Sequence, residues 1–414
     1  MKNKISTDYL VIGAGLAGCG IALELARNGK SVTLIEQDHS PMNRASLRNE
    51  GKIHLGLIYA GDETGSTSRI QLKGSLCFYS ILKSWLGGDM EKIDISRPFV
   101  YLVAHDSLLS AEKLADHYQA LEMECKRMLD KDDSLNYLGI RPEWLAKRIP
   151  LENFQNTFNV GRFKSAFITQ ERAIDTLDLA NVITNAVKSN NQIRLITDLK
   201  VIDIVDNNGK LKVVGKIGGG HGFLEIDANV VFNAAWDQRL LLDDLIGLKP
   251  SGSWVHRLKY RVIASLPDNL DHISSATIVL GAYGDAVIRK SSAYLSWYPA
   301  GMTGWSHNLT PPTEWSRACS NYVSDYKSMQ IGNEILARTL DWYPGLRGSS
   351  ILTIDAGAIF AYGNTDIDQI DSELHDRSHI GIRRVKNYIS VDPGKLTTAP
   401  MFAVEAVKNA LYSS

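Results

Sequence analysis

Tyr9-Leu10-Val11-Ile12-Gly13-Ala14-Gly15-Leu16-Ala17-Gly18, continuing through a helical stretch at residues 19–28 to Ser31-Val32-Thr33-Leu34-Ile35-Glu36, decides the fold. Residues 9–12 read as a short buried strand, the glycines as a turn, and residues 31–35 as a second β-branched strand closed by an acid. Gly13 permits the tight turn, Gly15 lets backbone approach a pyrophosphate, and Gly18 lets the helix pack closely on the strand. The helix N-terminus then offers free N–H groups to phosphates. Glu36, 21 residues beyond Gly15, is placed to accept hydrogen bonds from adenosine ribose hydroxyls and disfavours a 2′-phosphate. A bare G-x-G-x-x-G recurs in ordinary strand-helix corners, but here strand, helix, second strand and acid fall within one unit, the context the motif requires. The fold class is α/β with a Rossmann-like domain. The turn alone suits nicotinamide and flavin dinucleotides alike.

A chain of 414 residues exceeds one simple core and predicts two domains. Hydrophobic residues at 44% and charged residues at 22% describe a globular protein. The net charge of −1 offers no basic stripe for nucleic acid, so no nucleic-acid partner is expected. Cys19, Cys77, Cys125 and Cys319 are far apart, without a C-x-x-C pair, so neither a metal site nor a disulfide framework is expected, and a reducing, cytoplasmic setting fits. No run approaches the ~20 apolar residues of a transmembrane segment, and residues 1–8 lack the apolar core of a secretory signal.

Further along, helices are expected over residues 69–85, 111–129, 141–148 (begun by Pro142) and 171–188, with helical periodicity again over 313–340. Strands are expected at 99–103, 193–196, 200–205, 211–217, 223–226, 229–235 and 388–391, and an alternating, antiparallel pattern runs from 254 to 298. His221 sits in a glycine-rich turn and reads as an exposed turn residue. The strand ending in Asn233-Ala234-Ala235-Trp236 closes on small residues that permit close approach of a ligand.

These features, with Arg48-Asn49-Glu50-Gly51-Lys52-Ile53-His54-Leu55-Gly56 and the terminal Gly394-Lys395-Leu396-Thr397-Thr398, stand in the order found in FAD-dependent oxidoreductases of the D-amino-acid oxidase superfamily. Within that group the chain resembles glycerol-3-phosphate dehydrogenase and L-2-hydroxyglutarate oxidase. The resemblance implies FAD as cofactor, held in a glutathione-reductase-like domain made of residues 1–90, 155–245 and 345–414. A second, α+β substrate domain built on an antiparallel sheet would comprise 91–154 and 246–344. It also implies that Gly13, Ala14, Gly15, Leu16, Ala17 and Gly18 hold the pyrophosphate, that Glu36 and Gln37 meet the ribose, and that Arg44, Ala45 and Ser46 meet the phosphates. Val201 would meet adenine, Ala234, Ala235 and Trp236 would pass beneath the dinucleotide, and Asn49, Gly51, Ile53 and His54 would line the isoalloxazine. Gly394, Lys395, Leu396, Thr397 and Thr398 would contact the pyrimidine end of the flavin, where a turn opening a helix can stabilise anionic charge.

The flavin accepts a hydride, so the protein need supply only orientation and a proton acceptor. His54 and His379 are the candidate bases. Lys395 reinforces charge at the flavin or binds an anionic substrate, and Arg377, in a cluster with Arg383 and Arg384, offers a guanidinium fork for carboxylate or phosphate. Tyr59, His256 and Tyr298 are further candidates for the pocket wall. Glycerol-phosphate enzymes carry an Arg-Pro pair where this chain has Ala358-Ile359-Phe360-Ala361-Tyr362, which argues against glycerol phosphate as the substrate. The expected activity is oxidation of a C–OH bond, or alternatively a C–N bond, in a small polar, anionic molecule. Oxygen, a quinone or a carrier would receive the electrons. The competing reading is a flavin-fold scaffold without turnover.

Overall fold

The computed structural model describes residues 3–219, 222–268, 273–369 and 371–412. His221 lies outside them. Among the described residues the chain forms an eight-stranded sheet, a nine-stranded sheet and a two-stranded pair.

In the first sheet, strand Asn3–Ile12 lies between Val32–Ile35 and Phe223–Asn233, all parallel, and Ile193–Ile196 and Tyr388–Asp392 extend it in parallel on either side. Gly381–Val385 closes one edge antiparallel. Helix Leu16–Arg27 is buried on every side along Leu16 to Ala26, as a helix wedged between other helices must be. It packs against Ala399–Tyr412 and Thr176–Ser189. Gly20 admits the Trp85 ring, since a Cβ there would meet it at 2.6 Å. The parallel strands lead directly into Gly13, Glu36, Ala234 and Pro393, so their carboxyl ends share one side of the sheet, where open α/β sheets bind ligands.

The second sheet runs from Met302–Ser306 through Trp254–Ser265, Ser292–Trp297, Gly284–Ile288, Ser275–Val279, Phe99–Ala104 and Phe163–Thr169 to Ala146–Ile149. It is antiparallel except where Ser275–Val279 pairs parallel with Phe99–Ala104. Ile351–Tyr362 pairs with Trp254–Ser265 along nearly its whole length.

Several expectations need correction. Phe163–Thr169 and Ile351–Tyr362 pair in the second sheet, although the sequence boundaries put both with the first unit; Phe99–Ala104 and Trp254–Ser265, on which they lie, are far away in sequence. Residues 141–148 form no helix: Ala146–Ile149 is an edge strand on Phe163–Thr169, because sheet pairing overrides a local helix signal. The helix expected from 171 begins at Thr176, where Asp175 accepts N–H bonds from Leu177 at 2.7 Å and Asp178 at 3.2 Å. Ahead of it, Arg172–Ala173 pairs with Lys52–Ile53. The 313–340 periodicity splits into Ser316–Ser320 and Tyr326–Trp342, the second capped by Asp325. The first helix starts at Leu16, directly after Gly15, which brings its N-terminus into the glycine turn.

Candidate active site

One long cleft runs from the glycine turn to the second sheet and contains about 1640 Å³ of empty space, open solvent included. At its outer end Gly13 has φ +91° and donates its N–H to Ile35 O at 2.8 Å. Only glycine fits there, because a Cβ would also fall 2.8 Å from Ala234 O. Gly18 faces the same turn: its Cβ would lie 1.8 Å from Gly13 O. Gly15 differs, since its Cβ direction is open apart from Ser46 Oγ at 3.0 Å. That hydroxyl accepts the Leu16 N–H at 2.9 Å, tying the loop to the helix N-terminus.

Glu36 accepts N–H bonds from Ala14 at 2.7 Å and Asp38 at 2.9 Å. Burial pushes its carboxyl above the ordinary range, only partly offset by those bonds. Arg44 is committed to Asp38 by two 2.9 Å bonds and lies 3.6 Å from Asp237. Leu16, Ala17, Gln37, Ala45, Val201, Ala234, Ala235 and Trp236 line the cleft. Ala14 and Gly18 act from behind it, the first through its N–H and the second through packing.

Residues 44–54 carry the cleft inward. The Asn49 amide donates to Ala45 O (2.8 Å) and Ser46 O (3.0 Å), and its carbonyl oxygen accepts the Gly51 N–H (2.8 Å). Gly51 and Ile53 lie behind the wall: Gly51 has φ +76° with Ile174 O 2.1 Å from a Cβ position, and Ile53 is core. Asp355 anchors this loop to the second sheet. It accepts bonds from Arg261 Nε at 2.6 Å and Nη2 at 3.1 Å, and stands as an ion-pair partner 3.1 Å from Arg48 Nε; Arg261 in turn donates to Leu47 O (2.9 Å) and Asn49 O (3.2 Å).

At the inner end His54, buried, stands between two carboxylates, with Nε2 3.5 Å from Glu50 and Nδ1 3.7 Å from Glu171. Glu50 lines the cleft whereas Glu171 is fully buried, so Nε2 is the nitrogen nearer the cleft wall; both ring nitrogens are buried without a hydrogen-bond partner. Glu171 accepts the Leu55 N–H at 2.8 Å and a short bond from Tyr101. The Tyr59 ring meets His54 edge-on at 5.4 Å. Burial opposes ionisation of Glu50, but His54, Lys395 and Lys259 outweigh it and hold the carboxyl well below its usual range.

Lys259 and Lys395 line this end, and neither ammonium makes a hydrogen bond or ion pair among the described residues. Lys52 contrasts with them, satisfied by Thr277 at 2.5 Å and Asp285 at 2.9 Å. Burial lowers Lys395 to a pKa of about 8, against the pull of Glu50, with Arg377, Lys259 and Arg257 adding to the fall. Its ammonium is therefore present below pH 8 and lost above. Affinity for an anionic ligand should weaken as pH rises through about 8, and Lys395→Arg should flatten that dependence, because guanidinium stays charged; titration of binding against pH checks both.

The C-terminal turn has Gly394 at φ +63°. Thr397 and Thr398 brace it rather than face the cleft. The Thr397 hydroxyl accepts the His54 N–H at 2.9 Å and donates to Lys52 O at 3.3 Å, while Thr398 donates to Pro393 O at 2.5 Å. Gly394, Lys395 and Leu396 line the cleft.

Not every candidate gathers here. The His379 side chain is 67% exposed and pairs with Asp376 at 3.5 Å, outside the lining. Arg383 and Arg384 bind backbone carbonyls at the sheet edge. His256 packs on Phe360, and burial beside Arg239 lowers its pKa to about 4. Arg377 is nearer: its charge couples to Tyr59, Tyr298 and Glu50, and burial lowers it to about 10, leaving a cation at neutral pH. Sequence reasoning missed Glu50, Lys259, Glu171 and the Arg48–Asp355–Arg261 brace. Alternation in the 254–298 segment put Arg257, Lys259 and Arg261 on one face, but only the topology turns that face to the cleft.

Residues 8–363 match the family of FAD dependent oxidoreductases termed DAO. The chain belongs to this family. The L-alpha-glycerophosphate oxidase of Mycoplasma pneumoniae, solved with FAD bound, shares the fold at TM-score 0.60 and 16% identity, over 99% of this chain and 96% of that one. Glycine oxidase from Geobacillus kaustophilus aligns at TM-score 0.67 and 14% identity, covering 99% and 96%. A curated relative, the tRNA 5-methylaminomethyl-2-thiouridine biosynthesis bifunctional protein MnmC of Hydrogenovibrio crunogenus, is 41% identical over 76 residues, 18% of this chain and 11% of that protein. The chain thus aligns with about a tenth of the length of that relative.

As a DAO-family FAD-dependent oxidoreductase, this protein is an enzyme that uses FAD, and the scaffold reading falls away. The cleft fits that group: an open glycine turn at a helix N-terminus at one end, and unpaired ammonium groups at the other. Among the described residues no helix is long and apolar enough to cross a membrane, and no cluster of His, Cys, Asp and Glu could hold a metal ion.

Proposed function

We propose that this DAO-family enzyme oxidises a C–OH bond, or alternatively a C–N bond, of a small acid. The observation that carries this reading is the pair of unpartnered ammonium groups, Lys259 and Lys395, beside His54 at the inner end of the cleft. Cations withdrawn from water persist where a counter-ion completes them; the carboxylates acting on these lysines are Glu50 and Asp285, and Asp285 is already paired with Lys52. When bound, FAD supplies the hydride acceptor. The first-sheet unit would hold it, through Gly13, Gly15, Leu16, Ala17, Glu36, Gln37, Arg44, Ala45, Ser46, Asn49, Val201, Ala234, Ala235, Trp236, Gly394 and Leu396. The second-sheet unit contributes Lys259.

His54 Nε2 takes the proton from the substrate hydroxyl or amine, and the carboxylates of Glu50 and Glu171 on either side stabilise the imidazolium that results. Its backbone bond to Thr397 fixes it relative to the C-terminal turn. His54→Gln should keep FAD while slowing anaerobic flavin reduction by about 10²–10⁴-fold, the range of a lost general base; stopped-flow absorbance measures it, and an unchanged rate would remove His54 from the mechanism. Mixing the reduced enzyme with air, a quinone or a carrier protein identifies the electron acceptor.

A further inference from the structure

The strand Trp254–Ser265 places Arg257 on the same face as Lys259, one step along, with a side chain only 3% exposed. Its Nη1 donates to Tyr298 OH at 2.9 Å and to Asp366 Oδ1 at 3.3 Å, while its buried Nε has no partner. Tyr298 OH makes a short hydrogen bond to the same Asp366 oxygen. Burial and Asp366 together push the Tyr298 hydroxyl up to about 12, against the pull of Arg257, so it stays a donor.

Asp366 comes from the segment after Ile351–Tyr362, and this segment also supplies Arg377. Arg377 is docked by its backbone N–H on Thr67 Oγ1 at 2.8 Å, and its Nε donates to Leu374 O at 3.1 Å. Its two Nη groups make no hydrogen bond or ion pair among the described residues. The Tyr59 hydroxyl, whose pKa burial raises and the Arg377 charge partly restrains, is buried without a partner.

An arginine fork can bind a carboxylate through two parallel bonds. Here the carboxylate it holds is reached by one nitrogen, at a long distance, and the same oxygen is shared with Tyr298 and with the Ile367 N–H at 2.8 Å. Donors sufficient for a whole acid group are left unfilled: Arg257 Nε and Tyr59 OH are buried, where a missing bond costs free energy, and the Arg377 Nη pair is half-buried. Asp366 offsets the charge of Arg257 through that single contact and leaves its Nε unpaired.

We propose that Asp366 is an internal stand-in for the substrate's carboxylate: it caps the Arg257–Tyr298 pair in the free enzyme and is displaced when an acid group binds there. This rests on the acid-substrate reading above. Asp366 is then a competitor built into the site, and removing its charge strengthens binding of an acid, whereas removing a structural ion-pair partner would weaken it.

The test is isothermal titration of the FAD-loaded enzyme with malonate, and separately with inorganic phosphate, in wild type, Asp366→Asn, Arg257→Gln and Tyr298→Phe. Asp366→Asn keeps a group that can accept from Tyr298. It should bind malonate about tenfold more tightly, and Arg257→Gln should bind it at least about tenfold more weakly, the size of one charge-assisted bond. Tyr298→Phe, which perturbs folding least, should weaken malonate by a few-fold. Equal or weaker malonate binding by a folded, flavin-loaded Asp366→Asn overturns the proposal. A gain for phosphate with none for malonate overturns its assignment to a carboxylate. If malonate behaves as expected but no acid reduces the flavin, the proposed oxidation fails while the stand-in survives; reduction without the Asp366→Asn gain gives the reverse.

Discussion

A Gly15→Val protein should purify folded and colourless, its FAD affinity lowered by on the order of a hundredfold, ~3 kcal/mol. Gly15 has φ −72° and ψ −176°, which valine adopts without strain. Within 4 Å its Cβ meets only Ser46 Oγ, at 3.0 Å, a side chain able to yield a few tenths of an ångström. The apoprotein should therefore lose about 1 kcal/mol or less, the usual penalty of a poor helix N-cap. The branched side chain would instead stand in the cleft in front of the first-turn N–H groups of Leu16–Arg27, where phosphate would approach. Gly18→Ala makes the contrast. Its methyl would sit 1.8 Å from a backbone oxygen, so fold and cofactor should fail together, at the upper end of the ~1–3 kcal/mol range for overpacking or beyond. Flavin absorbance and thermal melting separate the two outcomes; Gly15→Val with normal FAD content would contradict the pyrophosphate role.

Asp355→Ala should cost about 3–5 kcal/mol of stability, the penalty for breaking a buried ion pair from one side. Asp355 is 4% exposed and is held by two guanidinium groups, Arg48 and Arg261. Removing it leaves both cations buried and uncompensated. It also releases residues 47–49, whose carbonyls Arg261 holds, from the second sheet. The loss should exceed that from Asp244→Ala at the exposed Lys249 pair, where less than about 1 kcal/mol is at stake. Denaturant titration compares the two. A loss of FAD should accompany the Asp355 change and not the Asp244 change, because the Arg261 brace holds the carbonyls of Leu47 and Asn49.

The glycine turn, Glu36 and the C-terminal Gly394 turn could be read in sequence because their chemistry is local. A positive φ, an N-terminal N–H and an acid at a strand end are all specified within a few neighbours. Lys259 could not be read the same way. It sits in an alternating strand whose two faces look equivalent until Ile351–Tyr362 pairs beside it and turns one toward the cleft. Glu171 was misread for a related reason: its apolar neighbours carry helical spacing, yet the backbone at Arg172–Ala173 is used up pairing with Lys52–Ile53, which leaves Glu171 beside His54. His379 shows the opposite error. A histidine near the right loop carried the right chemistry, but its side chain faces solvent. Gly51, Ile53, Thr397 and Thr398 stand one layer behind the positions expected of them, holding the wall instead of forming it.

Anaerobic flavin spectroscopy tests the central claim most directly. The purified protein, with FAD bound, is mixed without oxygen with 2-hydroxy acids, amino acids, glycerol phosphates and uncharged sugars, and the flavin band is followed. Bleaching by an acid bearing a C–OH or C–N bond, with uncharged sugars inert, is the predicted result. Full FAD occupancy with no reduction by any acid, or reduction by the uncharged sugars alone, would contradict the account.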